Sequence, residues 1–518
     1  PLWSLTAAGG SPGVDLGGWN GTKDGLYTFP SPGVYAFRAE CGNTVLMTVN
    51  VVKVDIVGHI PAALPGEGAT PVSEADEDTP LNLLAAVNDN RQENPAAPDN
   101  ADITVVGTVD TDLVKLTMNR VDPALVTGTM ELSVAPSSDV RVFVPAGTTV
   151  SPLTDWSVNL AAPSGQLAGL ATGPVDVFLE GLAPNADVTV TLTYRRGSDV
   201  VTQDNVHMAL VKVDLVGYQP GTVVPPSPPP PPPAAISEAD EEYPLKLLAK
   251  VNDDLDEGGP NPDNADNTVA ASDDDIVKLT IRRLDPALTT GTMALSVSPA
   301  SAVRVFSQAG GTIAPLADWS VDLAAPTGDL AALVSGDVNL LVEGLQPSAD
   351  VTLTLQYSYA GRGVCADTVR MTVLEVGLKE VSFSGTDNHT LQSDDLSTTF
   401  SAPHYLDANL DGDTSDTGDR CYPVCYTRHK KMKVGAEIRV APSLTGAAIR
   451  IRGDGPGNVD IPETTGTLAG DTITLAATEA ADAFADEVAL MKPMTINWQV
   501  SFDGGTTWCN AGKSANAL

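Results

Sequence analysis

"DLVKLTMNRVDPALVTGTMELSV", residues 112–134, occurs a second time in the chain as "DIVKLTIRRLDPALTTGTMALSV", residues 275–297. Apolar and polar residues alternate in "VKLTM" and "MELSV", and Asp-Pro and Thr-Gly separate these runs. Alternation with period 2 is typical of a strand with one buried face, and Asp, Pro and Gly are typical of turns. The stretch therefore predicts short antiparallel strands, and the chain contains the same set twice.

The duplication extends well beyond this stretch. It begins with "SEADEDTPLNLLAAVND" (73–89) and "SEADEEYPLKLLAKVND" (237–253), and it closes with "VHMALVKVDLVGY" (206–218) and "VRMTVLEVGL" (369–378). The offset is 164 at Ser73/Ser237 (237 minus 73) and 163 at Trp156/Trp319 (319 minus 156). Two copies of one domain that differ by a single loop residue explain these offsets.

The pattern predicts an all-β chain of tandem Ig-like β-sandwich domains joined by Pro-rich linkers. The predicted domains are the C-terminal part of a sandwich module (1–60), a linker (61–72), repeat 1 (73–218), a polyproline linker (219–236), repeat 2 (237–378) and a divergent, truncated sandwich-like domain (379–518). We interpret "PPSPPPPPP", residues 225–233, as a stiff polyproline II spacer of roughly 28 Å between the two repeats.

The charge of the chain narrows the choice of partners. Asp and Glu number 66 against 29 Lys and Arg, which gives a formal net charge of −37. Such a surface repels nucleic acid and anionic lipid and attracts divalent cations, so neither nucleic acid nor a membrane surface is an expected partner. Apolar runs long enough for a membrane helix are absent from the sequence, and no membrane insertion is predicted in this segment. No secretion signal is evident either, and we expect the chain to be part of a longer or processed protein.

The first candidate site is the loop "DANLDGDTSDTGD", residues 407–419. Carboxylate and amide oxygens recur at alternate positions, and Gly412 permits a tight turn, as calcium loops require. The loop resembles the start of an EF-hand or dockerin-type loop, although Gly418 stands where a closing acid is expected. The candidate Ca²⁺ ligands are Asp407, Asn409, Asp411, Asp413 and Asp416. A solvated Asp/Gly turn is an equally good reading.

The second candidate is the loop that follows each acidic stretch. It reads "VNDDLDEGGPNPDNAD" in repeat 2, with candidate ligands Asn252, Asp253, Asp254, Asp256, Asp263 and Asp266. Repeat 1 offers fewer oxygen donors at the matching loop, and Arg91 stands where an acid would help. The loops therefore predict a Ca²⁺ site mainly in repeat 2.

Evidence for catalysis is lacking in the sequence. Nucleophile elbow, zinc-protease and phosphate-loop motifs are absent, and the pair Cys421/Cys425 has no second pair or His cluster beside it, so no enzyme activity is expected. Trp156 and Trp319 occupy equivalent positions in "DWSV". We expect them to be buried anchors of the sandwich core rather than platforms for sugar binding.

The Asp-rich loops and the repeated "VKVDLV" segments resemble tandem β-sandwich repeat regions of large secreted bacterial surface proteins. The resemblance implies a module type and not an activity. Repetition, spacing, acidity and the absence of catalytic motifs predict an extracellular structural protein that self-associates into a stalk, filament or surface layer. Two alternatives remain open at this point: a calcium-stiffened adhesin that binds a glycan or protein, and a non-catalytic accessory region of a larger secreted enzyme.

Overall fold

A computed structural model describes the greater part of the chain. The described residues are 2–7, 14–15, 29, 31–41, 43–60, 70–87, 113–146, 149–219, 234–251, 276–309, 312–385, 404–406, 420–422, 432–454, 460–479, 494–502, 504–505 and 508–516. The chain divides into two compact units. The first contains Pro1–Lys212, Leu284–Leu288 and Ser358–Cys365, and the second contains Val213–Arg283, Thr289–Tyr357 and Ala366–Leu518.

The first unit begins with a four-stranded sheet. Its strands are β1 (Leu2–Ala7), β2 (Val14–Asp15), β3 (Gly33–Cys41) and β4 (Asn43–Val51). They lie in the order β2-β1-β3-β4, and each pair along this order is antiparallel. The predicted β module at the N-terminus is therefore a sheet of its own.

The first sandwich follows in the same unit. Its elements are β5 (Ile56–Ile60), β6 (Thr70–Pro71), helix α1 (Glu74–Glu77), β7 (Leu84–Ala86), β8 (Leu113–Met118), β9 (Thr129–Ala135), β10 (Val140–Ala146), β11 (Thr149–Pro152), β12 (Ser157–Asn159), β13 (Val175–Gly181), β14 (Asn185–Arg196) and β15 (Asp199–Val211), with 3₁₀ turns at Pro80–Asn82 and Ala168–Ala171. One sheet has the order β11-β10-β13-β8-β5-β6 and the other β12-β9-β14-β15-β7.

The core of this sandwich lies between the two sheets. Alternate residues of β14, namely Val188, Val190 and Leu192, are fully buried in one cluster with Leu116 of β8. At the end of β14 the Tyr194 hydroxyl donates a hydrogen bond of 2.9 Å to the Thr127 carbonyl oxygen. Buried alternate positions and a tyrosine tied to a neighbouring turn are features of Ig-like sandwiches, so the predicted all-β sandwich fold is confirmed.

A second sandwich of the same kind follows, and all of it except Leu284–Leu288 and Ser358–Cys365 belongs to the second unit. Its elements are β16 (Leu215–Gln219), β17 (Ala234–Ala235), α2 (Glu238–Glu241), β18 (Leu248–Lys250), β19 (Ile276–Ile281), β20 (Thr292–Ser298), β21 (Val303–Ala309), β22 (Thr312–Pro315), β23 (Ser320–Asp322), β24 (Val338–Gly344), β25 (Ser348–Tyr359) and β26 (Arg362–Gly385), with 3₁₀ turns at Pro244–Lys246 and Ala331–Val334. One sheet has the order β17-β16-β19-β24-β21-β22, which matches the first sheet of the first sandwich strand for strand.

The last elements of the chain continue from the long strand β26. They are β27 (His404–Leu406), β28 (Arg420–Tyr422), β29 (Met432–Ala441), β30 (Ala448–Asp454), β31 (Asp460–Thr467), β32 (Thr472–Glu479), β33 (Met494–Ser501) and β34 (Cys509–Asn516). Strand β26 joins β25 and β29 in the sheet β23-β20-β25-β26-β29-β32 and also pairs with β18, while β31-β30-β33-β34 form a separate sheet and β27 pairs with β28. The core of this last part contains the fully buried Trp498 together with Leu374, Val376 and Leu378 of β26.

Two strand pairings differ from the predicted domain boundaries. Strand β5 lies within the range assigned to the N-terminal module (1–60), yet it pairs with β8 of the first sandwich. Strand β16 lies within the range assigned to repeat 1 (73–218), yet it pairs with β19 of the second sandwich. Each "VKVD" segment therefore leads into the strand that opens the following sandwich, and Val54 of the first segment is buried in the core of that sandwich.

The interpretation of the proline run as a spacer between domains does not fit the strand pairing. Residues 225–233 lie outside the described residues, but the strands on either side of them are described. Tyr218 and Gln219 of β16 pair antiparallel with Ala235 and Ala234 of β17. The run therefore connects two neighbouring strands of one sheet in the second sandwich.

Candidate functional site

The calcium ligands predicted from the sequence fall where the structure gives no description. Both the 407–416 set and the 252–266 set lie outside the described residues, as do the matching positions of repeat 1. Their roles stay predictions. The described part of the chain instead brings together carboxylates that the sequence patterns did not single out.

The first group, here named acidic cluster 1, consists of Asp55, Glu74 and Asp204. Asp55 directly precedes β5, Glu74 is the first residue of α1, and Asp204 lies on β15. One carboxylate oxygen from each lies within 4.8 Å of the others. Hard oxygen donors at this spacing could hold a metal ion.

The second group, acidic cluster 2, consists of Asp214, Glu238 and Asp367, with the same spacing limit of 4.8 Å. Its members stand 159 (214 minus 55), 164 (238 minus 74) and 163 (367 minus 204) residues after those of acidic cluster 1. The two clusters are therefore equivalent positions of the duplicated sandwich, and each lies within one unit.

In each sandwich, side-chain carboxylates accept hydrogen bonds from backbone N–H groups of the first strand. The Ile56 N–H donates to Asp204 Oδ2 at 2.9 Å, and the Leu215 N–H donates to Asp367 Oδ2 at 2.6 Å. A second carboxylate acts two residues further along, where Gly58 N–H donates to Glu77 Oε1 at 3.2 Å. Buried backbone donors need partners, and these side chains supply them where no neighbouring strand does.

The second sandwich has the equivalent of the Gly58–Glu77 hydrogen bond: the Gly217 N–H donates to Glu241 Oε1 at 3.3 Å. Glu77 and Glu241 are only 3% and 1% exposed. The acidic "SEADE" stretch therefore has a structural task in each copy: its last glutamate holds the strand that enters the sandwich.

Basic and amide side chains lie against both clusters. Lys53 Nζ is 3.0 Å from Asp55 Oδ1 and 3.0 Å from Glu74 Oε2, and Asn119 Nδ2 donates to Asp55 Oδ2 at 2.7 Å. In the second sandwich Arg282 Nε is 3.1 Å from Asp214 Oδ2. Lys53 donates hydrogen bonds to the carboxylates of Glu74 and Asp55, and these bonds raise the pKa of Lys53, so its charge is retained. Each cluster of three carboxylates is thus partly neutralised by a cation.

Burial changes the titration of the carboxylates around acidic cluster 1. Burial raises the pKa of Glu77 to about 7, and nearby Asp204 adds to this while the Gly58 bond opposes it. Burial also raises the pKa of Asp204. Because both groups bind protons more tightly when folded, their contribution to stability is complete at low pH and is lost as the pH rises through the folded pKa.

Glu77→Gln is expected to remove part of this pH dependence. In the wild-type chain, the free energy of opening the first sandwich should fall between about pH 4.5 and pH 7, by up to about 3 kcal/mol. The variant keeps an oxygen that accepts the Gly58 bond but carries no charge, so it should open less readily than the wild type at pH 8.

Hydrogen exchange read by mass spectrometry on β5 and β8 peptides measures this effect. The second sandwich serves as an internal reference, because its exchange should keep the same pH dependence in both proteins. An unchanged pH dependence of the β5 peptides in Glu77→Gln would contradict the assignment.

The two equivalent tryptophans differ from their predicted role. Trp156 and Trp319 are each 37% exposed, so they are not buried anchors of the core. Their main chains are fixed, since Leu132 N–H donates to the Trp156 carbonyl at 2.9 Å and Leu295 N–H to the Trp319 carbonyl at 2.8 Å. Both precede a three-residue edge strand, where the sheet leaves part of each side chain open.

The helices within the described residues are too short or too polar to cross a lipid bilayer.

No protein-family model matches the chain, and no curated protein matches it. Solved structures with similarity include a chain named "BspA_C_mut" (10% identity, 50% of this chain and 91% of that chain, TM-score 0.18). The D0-D1 domain of intimin matches at 9% identity over 55% of this chain and 93% of that chain, with a TM-score of 0.14. A tetra-tandem repeat in the extending region of a large adhesion protein matches at 10% identity over 99% of this chain and 91% of that chain, with a TM-score of 0.17.

Proposed function

We propose that the chain is an extracellular structural protein whose tandem sandwiches form a stalk, filament or surface layer by association of subunits. The observation that supports this most directly is the way in which the domains follow each other. Four residues separate β4 from β5, and three separate β15 from β16, so each domain's last strand leads at once into the next domain's first strand.

Contacts at the first of these connections support a load-bearing role. Lys53 N–H donates to the Asp122 carbonyl at 2.8 Å, and Asp122 N–H donates to the Lys53 carbonyl at 2.9 Å. Asn119 N–H donates to the Asp55 carbonyl at 2.7 Å. The residues of the first connection are thus hydrogen-bonded to the sandwich that they enter. At the second connection, Lys212 and Asp285 also exchange two backbone hydrogen bonds, of 2.7 and 3.1 Å.

The proposal is non-catalytic, in keeping with the absence of catalytic motifs from the sequence. Electron microscopy of the full chain over a range of concentrations tests it. Ordered filaments or a lattice are the expected result. Monodisperse single chains at every concentration would contradict self-assembly and favour an adhesin or an accessory region.

A second candidate function, a calcium-stiffened binding module, is favoured by the recurrence of the acidic clusters. Each cluster offers three carboxylates, and Ca²⁺ takes 6–8 oxygen ligands of this kind, with backbone oxygens and water completing the set. In this proposal the ion joins the first strand of a sandwich to its later strands, and the exposed Trp156 and Trp319 face a glycan or protein ligand.

Calcium titration of the full chain tests this second candidate. Millimolar Ca²⁺ should raise the melting temperature, because an ion that binds only the folded state stabilises it by mass action. The matched variant Asp204→Asn keeps an oxygen for the Ile56 bond and loses one charge, and it should respond less. Equal melting temperatures with and without Ca²⁺ would remove calcium from the proposal.

A further inference from the structure

The described part of the first unit contains a cleft of about 480 Å³. One wall comes from residues 71–82, which include α1 and the 3₁₀ turn at Pro80–Asn82, and the other comes from the hairpin that joins β25 to β26. The hairpin residues at the cleft lie within Ser358–Cys365, so both walls belong to the first unit. A volume of this size is typical of clefts that bind small molecules.

The hairpin wall carries an aromatic and a cationic side chain, those of Tyr359 and Arg362. Between them, Ala360 and Gly361 have φ angles of 51° and 78°. Positive φ at both central residues is typical of a two-residue hairpin turn, which brings the two flanking residues close to each other. The turn therefore places a phenol ring beside a guanidinium group at the edge of the cleft.

The Arg362 guanidinium has no carboxylate partner among the described residues. Its one hydrogen bond there runs from Nη2 to the Leu84 carbonyl oxygen, at 3.5 Å. Burial lowers the pKa of Arg362, which shows that the cation gives up part of its hydration in this place. A partly buried cation is stabilised by an anionic partner, and the planar guanidinium fits a carboxylate through two parallel hydrogen bonds.

The duplicated fold does not require this cation. The equivalent residue of the first sandwich is Asp199, at an offset of 163 (362 minus 199), and it starts β15 as Arg362 starts β26. Strands β14 and β15 form their hairpin with the acidic residue at this position. Folding of the hairpin therefore does not explain why Arg362 stands at the cleft.

The opposite wall of the cleft supplies hydrogen-bonding groups. Asp76 accepts a hydrogen bond from Ser73 Oγ at 2.5 Å and another from Asn82 Nδ2 at 3.1 Å, and all three residues line the cleft. These bonds hold the carboxylate and the amide in place, and a carboxylate with two bonds can still accept from a further hydroxyl group. Apolar side chains complete this wall, those of Pro71, Val72 and Leu81.

We propose that this cleft binds a sugar acid, whose carboxylate pairs with Arg362 and whose hydroxyl groups bond to Asp76 and Asn82. The carbon ring of the sugar packs against Tyr359 and Leu81. A sugar acid is favoured over an acidic peptide because it sets hydroxyl donors, rather than carbonyl oxygens, opposite the Asp76 carboxylate. The net charge of −37 favours a glycan with one carboxylate, since the chain repels a polyanion.

Ligand-observed NMR titration of the full chain with glucuronate tests the site. We expect glucuronate to bind, and glucose, which lacks the carboxylate, to bind at least about tenfold more weakly. Arg362→Gln should weaken the binding of glucuronate by roughly 10- to 100-fold, because it removes the charged hydrogen-bond donor. Its melting temperature should stay close to that of the wild type, since the fold accepts Asp199 at the equivalent position.

Arg196→Gln is the matched control for this variant. Arg196 is exposed and precedes the two-residue turn of the equivalent hairpin in the first sandwich, so its loss should leave the binding of glucuronate unchanged. Equal affinity of the wild type and Arg362→Gln for glucuronate, or no binding by either, would overturn the proposal. Binding of an N-acetyl-aspartate amide in preference to glucuronate would also overturn it and assign the cleft to an acidic peptide.

The site adds a binding activity to the structural role and does not depend on it. Electron microscopy tests self-assembly without a ligand, and the titration tests the cleft whether or not the chains assemble. A failure of either proposal is therefore seen separately from a failure of the other.

Discussion

Arg141→Met is expected to destabilise the first sandwich by about 1–3 kcal/mol, because it removes a charged hydrogen-bond donor from a buried carboxylate. Arg141 and Glu180 lie directly opposite on β10 and β13, and Arg141 Nε is 2.6 Å from Glu180 Oε2. The Glu180 side chain is only 1% exposed, so its carboxylate would lose its cross-strand cation in a place that water hardly reaches.

Hydrogen exchange of β10 and β13 peptides measures this loss, with the second sandwich as the reference. That sandwich carries the equivalent pair Arg304 and Glu343, with Arg304 Nε 2.7 Å from Glu343 Oε2, and it should be unaffected. The double variant Arg141→Met/Glu180→Leu should recover most of the stability, because it removes both charges. A loss below about 1 kcal/mol in the single variant would show that the pair matters little.

Trp498→Ala is expected to cost the last part of the chain about 3–5 kcal/mol, since it leaves a large cavity in a packed core. Trp498 is fully buried, in one cluster with Ile451 and Val500. Trp156→Ala is the matched control, because Trp156 is 37% exposed and truncation there removes less buried surface. We expect the control to cost about 1 kcal/mol or less.

Hydrogen exchange of the β30 and β33 peptides in the full chain measures the stability loss in Trp498→Ala. Hydrogen exchange of the β9 and β12 peptides measures the loss in Trp156→Ala. Similar losses in the two variants would contradict the difference in burial. A large loss at Trp156 alone would restore the buried-anchor interpretation made from the sequence.

The strand pattern is local, which is why the sequence predicts it well. In "VKLTM" the alternation of apolar and polar residues requires one buried face, and Val114, Leu116 and Met118 are the buried residues. A repeated sequence, however, shows the length of the repeating unit and not the point at which the unit begins. The "VKVD" segments end one copy and begin the next equally well, and only the pairing of β5 with β8 decides between them.

The acidic clusters could not be predicted for a different reason. Asp55 and Asp204 are far apart in the sequence, and they meet only because β5 and β15 pack in one sandwich. The duplication offered a signal, since every member of acidic cluster 1 has an acidic counterpart in acidic cluster 2. Trp156 was misassigned because a tryptophan beside an edge strand has the same local sequence pattern as one in a core.

Strand β26 has a consequence for the way in which heat unfolds the second unit. Its residues Val369, Met371 and Val373 are fully buried, and Leu374, Val376 and Leu378 of the same strand belong to the core that contains Trp498. A strand shared in this way cannot leave one region while it stays in the other. Calorimetry should therefore show the second sandwich and the last elements of the chain melting in one cooperative transition.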